Sequence, residues 1–394
     1  MSPRPLDGIL VVALEQAVAA PLASRHLADL GARVVKLERT DGGDFARSYD
    51  HAVRGLASHF VWLNRGKESV ALDLKTDDGR EILRRLLERA DVFLHNLGPG
   101  AVERLGFGAE ELRRRHPRLV VCTMSGYGST GPFRDKRAYD LLVQSEAGLV
   151  AVTGTPEHPA KAGIPVADIA SGMYAFSNIL AALLHRERFG EGAAFEVTML
   201  DALVEWMGHP LHVAEHTGED PPRAGLSHPV IAPYDAYPTA DGHEVVIGIQ
   251  NDREWVRLAG EVLGRPELAT HPDYATNVAR VRNREAVDAA VAEAIAKLSI
   301  EDAIGALDDA RIASARLNAV SEVLDHPQLA ARDRWRETST PVGVVRALRS
   351  AIEPVGESPM GPVPALGEHT DRVLHELGFD AEQVTKLRID AVVA

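Results

Sequence analysis

Apolar and polar positions in the first half of the chain fall into two alternating patterns. Ile9 to Leu14 is an unbroken apolar run of strand length, as expected for a parallel strand buried on both faces. Pro21 suits the first turn of a helix reaching about Leu30, and Gly31 is a fitting stop. A second strand is expected over 33–37. Strand, helix and strand within ~30 residues predict a right-handed βαβ unit. The alternation recurs as a strand over 70–74, a helix over 79–89, and strands over 92–94 and 119–124. The fold class expected is α/β, a Rossmann-like, doubly wound parallel sheet with its ligand site beyond the carboxyl ends of the strands.

Helical patterns follow over 140–147 and 169–186, separated by a Gly- and Pro-rich loop, then a strand over 195–198 and a helix over 199–207. Residues 209–233 are rich in His and Pro with little periodicity, a linker signature. Beyond them a smaller α+β region alternates like a strand over 244–249 and is helical over 253–263, 284–297 and 301–310. Pro and Gly return over 338–364, and a last helix is expected over 371–377. The domain reading is a large domain over 1–208, a linker over 209–233, a small α+β domain over 234–337 and a C-terminal segment over 338–394.

Composition narrows the class. The 394 residues carry a formal charge of −14, and this acid excess argues against a nucleic-acid binder, whose affinity rests on basic patches. The single cysteine, Cys122, excludes an internal disulfide or a Cys-rich zinc site and suits a reducing cytosol. No apolar run approaches the ~20 residues of a membrane span, and the N-terminus lacks the order of a signal peptide. A soluble, cytoplasmic protein is expected.

Chemistry enters through what loops carry. The first βα loop, Glu15-Gln16-Ala17-Val18-Ala19-Ala20-Pro21, has no glycine, which disfavours an ordinary NAD or FAD site. There is no P-loop, no GxSxG elbow, and no HExxH or paired-His spacing, so no metal is expected. Arg39, Lys75, the turn beginning at Asn96 and Arg104 lie just past expected strand ends, and Lys136 and Arg137 follow another loop. Cations gathered on one edge suit a phosphorylated cofactor, although solvated loop charges give the same pattern. Asp168 precedes a helix among small and apolar neighbours. It reads either as a helix N-cap or as a desolvated carboxylate nucleophile. Tyr139-Asp140 reads as a helix start, and His209 and His228 as ordinary linker residues. Trp62, Trp206 and Trp255 read as packing.

Several segments together resemble the family III CoA-transferases, the group of formyl-CoA and carnitine CoA-transferases. They are Ala32-Arg33-Val34-Val35-Lys36-Leu37-Glu38-Arg39, Leu72-Asp73-Leu74-Lys75, His95-Asn96-Leu97-Gly98-Pro99-Gly100-Ala101, Ser125-Gly126-Tyr127-Gly128-Ser129-Thr130-Gly131-Pro132, Pro165-Val166-Ala167-Asp168 and Pro364-Ala365-Leu366-Gly367-Glu368-His369-Thr370. The resemblance implies a large domain completed by the C-terminal segment, and an interlocked homodimer with its site near the subunit boundary. It implies transfer of CoA from an acyl-CoA thioester to a small carboxylic acid through an aspartyl anhydride and an aspartyl-CoA thioester on Asp168. CoA is then a substrate, with no permanently bound cofactor. It also implies CoA contacts from Arg39, Leu72, Lys75, Asn96, Leu97, Arg104, Lys136 and Arg137, with Asp140 and Tyr139 in support.

Departures from the family pattern bear on the substrate. Val18 stands where formyl-CoA transferases carry glutamine, so oxalate and formate are not expected. Tyr139-Asp140 replaces the His-Asp pair of the sister α-methylacyl-CoA racemases, the alternative activity, removing one of two bases. Two stretches, 14–21 and 58–67, resemble transferases of C4–C5 dicarboxylates such as the mesaconyl-CoA, succinyl-CoA:malate and succinyl-CoA:citramalate enzymes. Arg47, His59 and His228 are candidates for holding the second carboxylate.

Overall fold

The computed structural model describes residues 3–352 and 360–394, so part of the expected Pro- and Gly-rich stretch over 338–364 lies outside the described residues. The chain divides into two compact units. The first comprises Met1–Leu149, Ala162–His212 and Leu329–Ala394, and the second Val150–Lys161 and Val213–Gln328.

The first unit is built on six parallel strands: β1 (Leu10–Leu14), β2 (Arg33–Glu38), β3 (Lys67–Ala71), β4 (Val92–His95), β5 (Val120–Ser125) and β6 (Ala194–Thr198). Their order is β3-β2-β1-β4-β5-β6, so the direction of winding reverses between β1 and β4. At such a reversal the loops leaving the two strands splay apart and open a crevice. One face of the sheet is covered by the helices Ala19–Asp29 and Val166–Phe189, and the other by Asp77–Leu87 and the C-terminal helices Thr370–Glu376 and Ala381–Ile389. The C-terminal segment is stitched to β3, with Asp73 N donating to Val392 O at 2.8 Å and His369 N to Ser69 O at 3.0 Å.

Helix Val166–Phe189 corrects one expectation, since by length and composition it is apolar enough to cross a membrane. Its apolar side chains are used in the core: Ala170, Ala175 and Ile179 are fully buried, and Gly172 lets the chain of Ala19–Asp29 approach closely. Strand β3 begins three residues earlier than expected. The helix Gly208–Thr217 occupies the start of the expected linker, where Pro210 is tolerated in the first turn. A hairpin of β10 (Trp335–Thr340) and β11 (Gly343–Leu348), absent from the expectation, also belongs to this unit.

In the second unit, β7 (Tyr234–Pro238), β8 (Glu244–Gly248) and β9 (Ala313–Arg316) form an antiparallel sheet. It packs with Arg284–Ile295 and Ile300–Asp309 around a core that includes Trp255, Val291 and Leu307. Only β8 was legible as a strand. β9 alternates exposed Ala313 and Ala315 with half-buried Ser314 and Arg316 and carries no apolar period.

Candidate active site

A cavity of about 320 Å³ opens at the carboxyl ends of the central strands. Each of β1, β2 and β3 contributes the residues that follow it: Leu14 to Gln16, Leu37 to Arg39, and Leu72, Leu74 and Lys75; Leu97 and Arg104 come from beyond β4. Arg39, Leu72, Lys75, Leu97 and Arg104 are therefore brought together as the sequence suggested. Arg39, Lys75 and Arg104 are solvent-exposed, and an apolar wall of leucines lies beneath them. An exposed cationic rim over an apolar floor suits a ligand with phosphates at one end and an organic body.

Three acids also line this cavity, but their charges are answered from below. Glu15, Asp44, Lys36 and Lys67 are all no more than 2% exposed. Lys67 Nζ donates to Glu15 Oε1 at 2.7 Å, to Pro21 O at 3.0 Å and to Asn64 Oδ1 at 3.0 Å. Lys36 Nζ donates to Asp44 Oδ2 at 2.8 Å and lies 3.4 Å from Glu15 Oε1. Burial pushes Lys67 down to about 7, because Glu15 alone offsets it strongly and Lys36 repels it. Burial acts on Lys36 too, yet Asp44, Glu15 and Glu38 together hold that lysine above its ordinary value.

This network shapes the first βα loop. Ala17 adopts a left-handed φ of 65°, unusual for a residue with a Cβ. Its N–H donates to Asp44 Oδ1 at 3.0 Å. Gln16 is held on both sides by Asn96, whose Oδ1 accepts from Gln16 N at 2.9 Å and whose Nδ2 donates to Gln16 O at 2.8 Å. Asn96 thus clamps the loop through its whole carboxamide and is not among the cavity's lining residues.

Asp168 is the third residue of the helix Val166–Phe189, not its N-cap; Pro165 holds the cap position without a side-chain bond. The orphan amides at this end are satisfied by Asp140, which opens the helix Asp140–Glu146. Asp140 Oδ1 accepts from Ala167 N at 2.8 Å and from Asp168 N at 3.3 Å, and its Oδ2 accepts from Gln144 Nε2 at 2.6 Å. The Asp168 carboxylate is left half-buried, without a hydrogen-bond donor among the described residues. Burial, and then the charge of Asp140, push it up to about 7. A carboxylate that is neither capping nor paired, and that is made basic by its surroundings, has the chemistry a nucleophile needs.

Tyr49 belongs to this site and was missed. Burial and the charges of Asp44, Asp168 and Tyr139 push its phenol up to about 12, so it stays neutral. Its segment, a single 3-10 turn at Phe45–Ser48, has no period to betray it. Tyr139 precedes the helix Asp140–Glu146 and is 65% exposed.

Other expected residues are placed differently. Arg47 is committed to Glu38, its Nε and Nη2 donating at 2.8 and 2.7 Å, and its guanidinium lies 3.7 Å over the Phe60 ring. Its charge is thus already answered by Glu38. Lys136 is paired with Glu146 and sits over the Phe133 ring, and Lys136 and exposed Arg137 are outside the cavity lining. His59 packs edge-on against Tyr49 at 5.5 Å, with Nδ1 3.9 Å from Asp50 Oδ2. In the second unit, His228 stacks on Tyr234 at 5.4 Å, and its carbonyl accepts from Arg284. The expectation of no paired-His spacing also needs correcting. His212 and His216, one turn apart on Gly208–Thr217, bring ligand atoms together with Glu215 within 4.8 Å, all three exposed.

Residues 6–370 match the family described as CoA-transferase family III. The chain is 35% identical over 385 residues to a succinate–glutarate CoA-transferase of Agrobacterium fabrum, covering 95% of this chain and 96% of that one. It is 35% identical over 390 residues to a succinyl-CoA:mesaconate CoA-transferase of Haloarcula marismortui, covering 95% and 97%. It is also 37% identical over 331 residues to an acetyl-CoA:oxalate CoA-transferase of Acetobacter aceti, covering 84% and 85%. Among solved structures, a CaiB/BaiF family protein from Brucella suis superposes with a TM-score of 0.85 at 33% identity, covering 95% of this chain and all of that one.

Proposed function

The chain belongs to CoA-transferase family III and is a CoA-transferase; from that premise we propose that it moves CoA between short dicarboxylic acids through covalent intermediates on Asp168. The Asp168 carboxylate attacks the thioester carbonyl, a C–O bond forms, the C–S bond breaks, and CoA leaves as thiolate. The thiolate attacks the Asp168 acyl carbon of the resulting anhydride and expels the donor acid as carboxylate. The acceptor carboxylate then attacks the aspartyl-CoA thioester, giving a second anhydride and free thiolate. Attack of the thiolate on the acceptor's acyl carbon yields the new thioester and restores Asp168. Each intermediate keeps the acyl group activated, so the exchange needs no ATP.

One observation carries this reading: Asp140 caps the helix, so Asp168 does not. A carboxylate with its basicity raised attacks carbonyl carbon better. The neutral Tyr49 phenol supports a role as donor to oxyanions formed at Asp168. The exposed Arg39, Lys75 and Arg104 support binding of the CoA phosphates.

C4–C5 dicarboxylates are supported by the names of the Agrobacterium and Haloarcula relatives. The Acetobacter relative supports a second reading of the acceptor, because Val18 alone is a thin reason to reject oxalate. We also assign the protein to the cytoplasm, on its lone cysteine, and to an interlocked homodimer. Leu184, Phe189 and Trp206, each at least half exposed in the single chain, support an apolar interface.

Incubation with succinyl-CoA followed by mass spectrometry is expected to place a CoA adduct on the peptide containing Asp168. Asp168→Ala is expected to abolish transfer while retaining CoA binding. An adduct elsewhere, or wild-type turnover by the variant, would sink the mechanism. A panel of succinyl-CoA and acetyl-CoA donors against succinate, glutarate, mesaconate, citramalate and oxalate decides the acids.

A further inference from the structure

We propose that the buried Glu15–Lys67 pair, braced by Lys36 and Asp44, is a positioning strut that sets the CoA cavity against the Asp168 nucleophile. The inference rests on the reading of Asp168 just given.

The segment from Glu15 to Leu22, the first βα loop and the opening turn of the helix Ala19–Asp29, has two working sides. On one, Leu14, Glu15 and Gln16 line the cavity. On the other, Ala17, Val18 and Leu22 pack with Ile169 and Met173, the first the neighbour of Asp168 and the second a turn further on. Ala19 O comes so near the Asp168 helix that a Cβ on Gly172 would lie 2.6 Å from it. A shift in this loop therefore changes the separation of thioester and nucleophile.

Polar ties to buried charge fix the loop at both ends and in the middle. Lys67 Nζ joins the Glu15 carboxylate to Pro21 O, spanning the loop from below. Ser24 Oγ donates to the second Glu15 oxygen at 2.6 Å. Asp44, oriented by Lys36, holds the strained Ala17 N–H. Stability alone is a poor reason for this arrangement, since apolar residues of similar volume often replace buried ion pairs without loss. Position is the better reason: reacting atoms must be held near contact, and a displacement of about 1 Å costs roughly 100-fold in rate.

The test compares Glu15→Gln/Lys67→Met, which removes both charges together, and Ser24→Ala with the wild-type full-length enzyme. CoA affinity is read by calorimetry with CoA itself, and kcat and KM with the succinyl-CoA and acid pair of highest activity. The double variant is expected to lose about 10- to 100-fold in kcat, with CoA affinity within about threefold. Ser24→Ala should lose less in kcat, with CoA affinity again preserved, and it decides the matter if the double variant does not fold. The strut is overturned if kcat stays within twofold in the variants that fold, or if CoA affinity falls as far as kcat. Failure of the Asp168 reading looks different: the wild-type enzyme itself then forms no adduct on Asp168, whatever the variants do.

Discussion

Replacing Asp168 by asparagine tests the electrostatics of the nucleophile without reference to turnover. Asp168→Asn keeps the shape, removes the charge, and breaks no hydrogen bond to the carboxylate among the described residues. Asp168 is pushed from its ordinary 3.8 up to about 7 by burial and by Asp140. Below pH 4 it is protonated in folded and unfolded chains alike and contributes nothing. Between pH 4 and 7 the unfolded chain releases this proton while the folded chain keeps it, so stability falls as pH rises. Above pH 7 the full penalty applies. That gap corresponds to ~4 kcal/mol at most, and partial solvent access to a half-buried side chain reduces it to ~2 kcal/mol. Thermal melts of both proteins without CoA, at one protein concentration and at pH 5, 6, 7 and 8, measure it. The variant should become the more stable protein, with an advantage that grows across the series to about 2–3 °C in Tm at pH 8. An advantage that is absent, or that stays constant from pH 5 to 8, refutes the raised basicity.

In turnover the same group gives an acid limb: transfer rate should fall about tenfold per pH unit below about 7, as the nucleophile is protonated, in a pH series of kcat/KM. Arg39→Ala and Lys75→Ala, at exposed cavity cations, should each raise KM for the acyl-CoA about 3- to 10-fold with no change in acceptor KM, and the effect should shrink as salt rises. Gly172→Ala puts a methyl group 2.6 Å from Ala19 O, so the helices must separate. Overpacking of ~1–3 kcal/mol outweighs ~1 kcal/mol gained in helix propensity, and denaturant melts should show a net loss.

The sheet was legible because parallel strands buried on both faces leave apolar runs. β1 and β5 are such runs, and the loops that follow β1, β2 and β3 came out at the cavity. β3 was read three residues late for a physical reason. Lys67 looks like a loop residue, and only its partner Glu15, 52 residues earlier, makes it an interior one. Asn96 and Arg47 depend in the same way on partners outside their own segments. Residue type showed that each could hold an anion or a polar ligand; what engages it depends on Gln16 and Glu38, which pattern does not pair with them. Tyr49 left no signal, since a single turn has no period. Asp168 carried the opposite ambiguity, capping residue or nucleophile, and a neighbour outside its own segment, Asp140, takes the capping role.

These cases separate two kinds of cation that look alike in sequence. Lys36, Arg47 and Lys67 are spent internally, each facing an acid under the first loop. Arg39, Lys75 and Arg104 stand at the cavity mouth, where Arg39 has, among the described residues, only the exposed Asp41 at 3.6 Å as its acid. Because the acids of the cavity floor are neutralised from below, the outer cations face a ligand against little opposing charge. A protein of formal charge −14 can in this way present a cationic mouth to an anionic thioester. The buried pairs therefore serve binding as well as geometry. An uncompensated Glu15 would repel the phosphates that Arg39 and Lys75 attract, so Lys67→Met alone should weaken CoA binding, whereas Glu15→Gln/Lys67→Met should not. That contrast, read by calorimetry with CoA, separates the electrostatic share of the network from its positional one. Equal CoA affinity in the single and double variants would remove the electrostatic share.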